Sequence, residues 1–463
     1  MRKFGIVFLS FVSCALAGVA PQLTGNTRQY LAGLVRRDTS NPPGNETRAA
    51  KYLKEVADKW GIPCELLGDN PNRLNFVARL RGSGKERPLL LMSHTDVVPA
   101  DRSQWTVDPF GALTRGGHIY GRGTLDTKGL LAAEMAILVE LKRQGIPLKR
   151  DIILLAEADE EAGSTGIQWL IQNAWSKIDA EFALNETGSI WDLPSGVRLF
   201  QVQTAEKIPT RIVLTARGTA GHASLPVPDN AVVRVAKAVA RLADSDQPVR
   251  INTTARRYLT ELSKLPDYHW LSLELPKLMQ PSTAAAAANR IRARDPELDA
   301  MIRTAISPTM LSAGQKINVI PSIAKAWVDI RRVPDETREE VLARCRRIVN
   351  DPAVEVAPAG GQELPPTEPS SMTTSLYLNM VQVFEKSHPR AVVTPMMIRA
   401  ATDGSFLRRK GMAVYGVPVF RREGMTNRSH GNDERISLEE LDAGAQLLWK
   451  IVVKTAAANG SAR

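Results

Sequence analysis

Two of the six histidines in this chain, His94 and His430, sit in short strings that also carry carboxylates of the kind that hold metal ions. The first string, Leu89 to Pro99, is an apolar run that ends in Ser93-His94-Thr95-Asp96. A neutral imidazole offers one ring nitrogen to a cation, and Asp96 is placed to accept a hydrogen bond from the other and fix the tautomer. The second string, Ile119 to Gly129, sets Asp126 in a glycine-rich loop, where a rigidly held carboxylate can bridge two cations. Capping of the following helix is the ordinary alternative for such an aspartate. The third runs off an apolar stretch into Asp159-Glu160-Glu161, three adjacent acids that repel one another unless something positive lies among them. The fourth ends in Asn185-Glu186, and the fifth, Ser429 to Glu434, carries His430.

These residues need a frame. Leu89 to Met92 and Ile152 to Ala156 are apolar without a polar break, as in parallel strands buried on both faces, and open sheets of that kind place their sites at the carboxyl ends of the strands. Leu130 to Leu141 and about Leu438 to Val453 have helical spacing. After Ala205-Glu206-Lys207 the pattern changes. Residues 210 to 218 alternate as a half-exposed strand, a helix is expected from about Asn230 to Leu242, and Ala324 to Arg331 alternates again.

The five strings, with the opening Asn41-Pro42-Pro43-Gly44-Asn45-Glu46, resemble in their order the zinc-dependent metallopeptidase and deacylase family of aminoacylase, carboxypeptidase G, carboxypeptidase S, acetylornithine deacetylase and succinyl-diaminopimelate desuccinylase. The resemblance covers nearly all of the mature chain. It implies two Zn²⁺ ions, with His94 and Glu186 on one, Glu161 and His430 on the other, and Asp126 bridging both. It implies Glu160 as general base, Asp96 as a catalytic residue, and a cis peptide bond from Asp126 to Thr127. A histidine and carboxylate set without thiolate also accepts Co²⁺ or Mn²⁺. Two cations roughly 3.5 to 4 Å apart can share a water, lower its pKa and polarise an amide carbonyl. A carboxylate at Glu160 would then carry the proton to the departing amine.

The same resemblance implies an α/β fold: a mostly parallel catalytic sheet with helices on both faces, from residues 21–207 and 366–463, interrupted by an α+β lid and dimerisation domain over 208–365. In that lid His222 would reach the site of a partner subunit in a homodimer, while Asn318 and Arg331 would contact substrate. Arg331 is a plausible carboxylate clamp, since a guanidinium binds carboxylate in two places at once. A plain loop residue and a salt-bridged strand end are the ordinary alternatives for His222 and Arg331. Thr402 to Gly404 would hold an anionic group at a helix start, with a capping motif that binds no ligand as the ordinary alternative. Between Asp244 and Ser312 the lid carries extra sequence, as in carboxypeptidase S-like members, and loops over a site often set specificity.

A chain of 463 residues, 43% hydrophobic, can bury two cores. Its formal charge of +11 is spread along the sequence with no aromatic-interleaved basic stripe, which argues against a nucleic-acid partner. Residues 1–20 have the basic start and short apolar core of a secretory signal, cleaved after Ala17 or Ala20, so a periplasmic or secreted enzyme is expected. A lipid anchor through Cys14 is the runner-up. Only Cys64 and Cys345 then remain, one in each proposed domain; no disulfide between them is expected, and neither matches a ligand. The expected reaction is hydrolysis of the amide bond in small peptides or N-acyl amino acids bearing a free carboxylate. Acetylornithine deacetylase or desuccinylase activity is the alternative, and a non-catalytic binding protein on the same fold is the reading from another class.

Overall fold

Strands with no polar residue on either side have no wet face to offer, and the molecule places them accordingly. The computed structural model describes residues 13–360, 364–421 and 428–458, so most of the expected signal segment lies outside the described residues. Two compact units are present: one of residues up to Val202 with Ser371–Val393 and those from Met412, the other of Gln203–Ser370 with Thr394–Gly411.

In the first unit, strands β1 (Leu89–His94), β2 (Ile152–Glu157) and β3 (Phe182–Asn185) run parallel, with β1 between the other two. Leu91 faces Leu154 on one side and Leu184 on the other, and all three are fully buried. Each such leucine contributes about 1.5–3 kcal/mol relative to exposure. The sheet continues through Asn75–Leu80 and Cys64–Leu67 beyond β2, and through Ala413–Gly416 beyond β3. The apolar stretch after Asp126 forms helix α1 (Lys128–Gln144), buried on nearly every side through Leu141 and packed against Ser13–Val35 and Leu438–Ala456. Gly129 is there because a Cβ would lie 2.4 Å from the carbonyl oxygen of Thr124. Gly145, at φ 62°, ends the helix in the left-handed region.

The second unit carries the alternating strands. Strands β4 (Ile208–Arg217), β5 (Ala305–Ala313), β6 (Ile323–Arg332) and β7 (Val354–Pro358) form an antiparallel sheet in the order β5-β6-β4-β7. Every second residue of β4 and β6, including Ile212, Leu214, Ala326, Val328 and Ile330, is buried beneath helices α2 (Ala231–Ala243) and α3 (Arg338–Val349). The extra sequence folds into helices at Thr253–Leu262, Leu271–Leu278, Pro281–Arg294 and Pro296–Ile302, the last two opening on proline at the first turn. Strand β5 is an edge, its register shifts between Pro308 and Met310, and Met310 and Leu311 are exposed beyond the shift. Residues 394–411, expected in the catalytic segment, lie in this second unit, where Thr402 and Arg408 bind Glu206. No helix among the described residues is long and apolar enough to cross a membrane.

Candidate metal centre

Because β1, β2 and β3 are parallel neighbours, their carboxyl ends deliver three of the five strings to one edge of the sheet. His94 is the last residue of β1, the Asp159-Glu160-Glu161 turn follows β2 directly, and Glu186 follows β3. His94 Nδ1 lies 2.9 Å from the carbonyl oxygen of Asp96. That leaves Nε2 directed at Asp126 Oδ1 (3.0 Å) and Glu186 Oε2 (3.7 Å). His430 Nε2 lies 3.2 Å from the other oxygen of Asp126 and 3.1 Å from Glu161 Oε1. The structure thus brings all five expected donors into two groups, His94-Asp126-Glu186 and Asp126-Glu161-His430, with the ligand atoms of each within 4.8 Å of one another. Asp126 belongs to both and turns one oxygen to each histidine. The Asp126–Thr127 peptide is cis.

The charges in these groups answer to one another. Hydrogen bonds to Asp126 and Glu161 push His430 up to about 10, although the ring is half-exposed. Burial alone would lower His94, but Glu186 and Asp126 outweigh it and hold the ring well above its usual value. Burial would likewise raise Asp126, and the two imidazoles keep it well below the ordinary carboxylate range. Glu186 is pushed up to about 7 by burial, against the pull of His94. Among the described residues the hydrogen-bonding side chains facing these carboxylates are imidazoles, which can exchange a proton for a cation. Two imidazoles and three carboxylates without a thiolate fit a pair of divalent ions.

Asp96 has a second task besides its place beside His94. Its carboxylate is 3.6 Å from His94 Nδ1, farther than its own carbonyl oxygen, so the backbone sets the ring. The carboxylate, fully buried, instead accepts from the amides of Glu160 (3.2 Å) and Glu161 (3.0 Å) and from Asn41 Nδ2 (2.8 Å). It therefore fixes the turn that carries both the candidate base and one donor. The positive group expected among the three adjacent acids is Arg73, which pairs with Asp159 at 2.6 Å and Glu46 at 2.7 Å. Asp159, at φ 73°, turns its carboxylate onto Arg73 and Asn41, while Glu161 faces His430. Asn41, Glu46 and Arg73 carry no local sequence signal of these roles. The first two stand in the string that opens the family resemblance, and Arg73 lies in a polar turn with no periodic signal.

The expected substrate residues lie in the second unit. His222 is exposed with Nδ1 2.7 Å from Ser224 Oγ, and the amide of Ala223 donates to the carbonyl of Asn318 at 3.1 Å, so His222 and Asn318 share one exposed corner. Arg331 forks onto Asp329 at 2.9 and 3.2 Å. The anion held by the Thr402 to Gly404 segment is the chain's own Glu206: Thr402 donates through its amide (2.7 Å) and hydroxyl (3.0 Å), and Arg408 completes the set. Gly404 donates to the Thr402 hydroxyl at 3.2 Å, so the first amide of this short buried helix is already taken.

Comparison with known proteins matches residues 90–454 to the model of peptidase family M20/M25/M40. The chain is 31% identical to the N-fatty-acyl-amino acid synthase/hydrolase of Homo sapiens over 92% of this chain and 87% of that protein. It is 28% identical to the probable carboxypeptidase S-like 2 of Dictyostelium discoideum over 80% and 72%. Among solved structures, an M20 family metallo-carboxypeptidase from Sulfolobus solfataricus aligns with a TM-score of 0.68 at 20% identity, covering 92% of this chain and 98% of that one. Human carnosine dipeptidase 1 aligns with a TM-score of 0.65 at 15% identity, covering 95% and 99%.

Proposed function

This chain belongs to peptidase family M20/M25/M40, and from that premise we propose that it uses two zinc ions to cleave the amide bond of N-acyl amino acids or small peptides that carry a free carboxylate. Amide-bond hydrolysis is the family's chemistry, and the observation that carries the rest is the division of Asp126's two oxygens between two histidine-carboxylate groups. Ions bound there would supply Lewis-acid polarisation of the scissile carbonyl and a water of lowered pKa. Glu160, held by Asp96 through its backbone amide, takes the proton of the attacking water and returns it to the departing nitrogen, so that the carbon–nitrogen bond breaks to an amine and a carboxylate. Arg331 clamps the substrate carboxylate in place of Asp329. Relatives named for N-fatty-acyl amino acids and for a carboxypeptidase S-like activity support an amino acid as the leaving group.

The reading includes a homodimer paired through the exposed apolar edge of β5, with His222 serving a partner subunit's site. Mixing His222→Ala with Glu160→Gln then restores part of the activity that each lacks. It also includes export, checked by sequencing the mature amino terminus, with labelling at Cys14 marking the lipid-anchored form.

The test is release of free amine from a panel of N-acyl amino acids and dipeptides, each paired with its C-terminal amide. Cleavage of the free acids alone supports the reading, and the side-chain profile names the substrate. Equal cleavage of the amides removes the carboxylate clamp. No cleavage by protein holding two metals overturns the substrate assignment.

A further inference from the structure

Asp126 and His430 come from distant stretches of chain, yet each stretch reaches into the other. Arg122, buried, leaves the loop that carries Asp126 and donates to the backbone carbonyls of Gly431 (3.1 Å) and His430 (3.2 Å). Glu434, buried, leaves the loop that carries His430, and its Oε1 accepts from the amides of Leu125 (2.8 Å) and Asp126 (3.3 Å). The two side chains meet at 2.7 Å, and the guanidinium lies 5.3 Å over the ring of Trp105. The His430 loop needs such a hold, since His430 (φ 63°) and Asp433 (φ 52°) both occupy the left-handed region. A non-glycine residue stays there only where its surroundings over-determine it. Asp433 is fixed by the amide and hydroxyl of Thr106, at 2.9 and 3.0 Å, and His430 by the guanidinium on its carbonyl.

A buried ion pair is weak evidence for stability, because an apolar pair of the same volume often does as well. An apolar pair, however, has no hydrogen bonds to give to the backbone of two opposing loops. We propose that Arg122 and Glu434 form a reciprocal clasp that presets the Asp126-Glu161-His430 group for its ion. Each loop lends the side chain that fixes the other's backbone, so donors far apart in sequence are positioned before metal arrives. The His94-Asp126-Glu186 group depends less on it, because His94 ends a buried strand and Glu186 follows one. Arg122 and Glu434 are positioning residues, and the proposal rests on the two-metal reading above.

The experiment titrates metal-free full-length protein with Zn²⁺ against a competing chelator, and with Co²⁺ followed by visible absorption. Wild type takes up two equivalents. Arg122→Lys keeps a charge for Glu434 but loses the fork on the two carbonyls. It binds the first ion within a few-fold of wild type and the second about 10- to 100-fold more weakly. Excess metal restores kcat with KM unchanged, which a general packing defect would not do. Two-ion affinities equal to wild type, or equal weakening of both ions, overturn the clasp. If Arg122→Lys lacks a folded circular dichroism spectrum, Glu434→Gln decides on the same criteria, and failure of both to fold assigns the pair to structure alone and overturns the proposal. Wild type that takes up fewer than two equivalents overturns the two-metal reading itself, and the clasp with it.

Discussion

Two acidic groups stand side by side at the carboxyl edge of the sheet, and their charges are met in different ways. Glu46, Asp96 and Asp159 surround Arg73 and Asn41, a permanent cation and an amide. Asp126, Glu161 and Glu186 face His94 and His430, bases that titrate. A carboxylate held by a guanidinium is a finished piece of structure, whereas carboxylates facing imidazoles form a set that can trade protons for metal. The two groups are coupled, because Asp96 belongs to the first and grips the backbone of Glu160 and Glu161.

Given that contrast, equal changes of charge have unequal effects. The largest is expected for Asp126→Asn, which removes the shared donor: both ions are lost in a metal assay and activity with them, and a variant still holding two ions would break the distinction. Glu160→Gln keeps both ions and lowers kcat about 10²- to 10⁴-fold, measured at saturating metal; a smaller loss removes Glu160 from the role of base. Arg73→Met strands Glu46 and Asp159 and costs about 3–5 kcal/mol of stability in denaturant unfolding, while metal stoichiometry stays at two. Loss of metal in a folded Arg73→Met protein would merge the two groups into one.

The smallest effect is one of pH and sharpens the comparison without mutation. Glu186, raised from 4.5 to about 7, and His430, raised from 6.5 to about 10, bind more protons folded than unfolded. Their contribution to stability is therefore present at low pH and is lost as pH rises through those folded values. Asp126, whose pKa is lowered, acts oppositely and only at the acid end, below 3.8. Melting temperature of chelated protein should fall from about pH 5 to pH 9. Metal displaces these protons, so the loaded protein should lose the slope or reverse it. An equal fall with and without metal would show that the titrating groups lie elsewhere.

The sequence revealed one of these groups far better than the other. His94, Glu161 and Glu186 stand at or just past apolar runs, so a strand's end announces each of them. The alternating lid strands were visible for the same reason, since Ile212, Leu214, Val328 and Ile330 repeat with period two. Arg73 announces nothing, because its partners are set by how Asp159 turns after β2. Thr402 meets Glu206 across 196 residues, a pairing no local pattern encodes, and that contact turned an expected ligand site into an internal tie. Asp96 shows the subtler limit: its position beside His94 was legible, but whether its carboxylate or its carbonyl reaches the ring depends on backbone direction.

The bare edge of β5 has a consequence for how the protein behaves when concentrated. An uncovered strand is a template on which further strands can stack without end. Here Pro308 offers no N–H to an incoming chain and the register shifts just after it, leaving a short stretch from Met310 to Ala313 that is apolar but for Ser312. A newcomer meets an interrupted ladder, so strand addition along that edge is checked after a few residues.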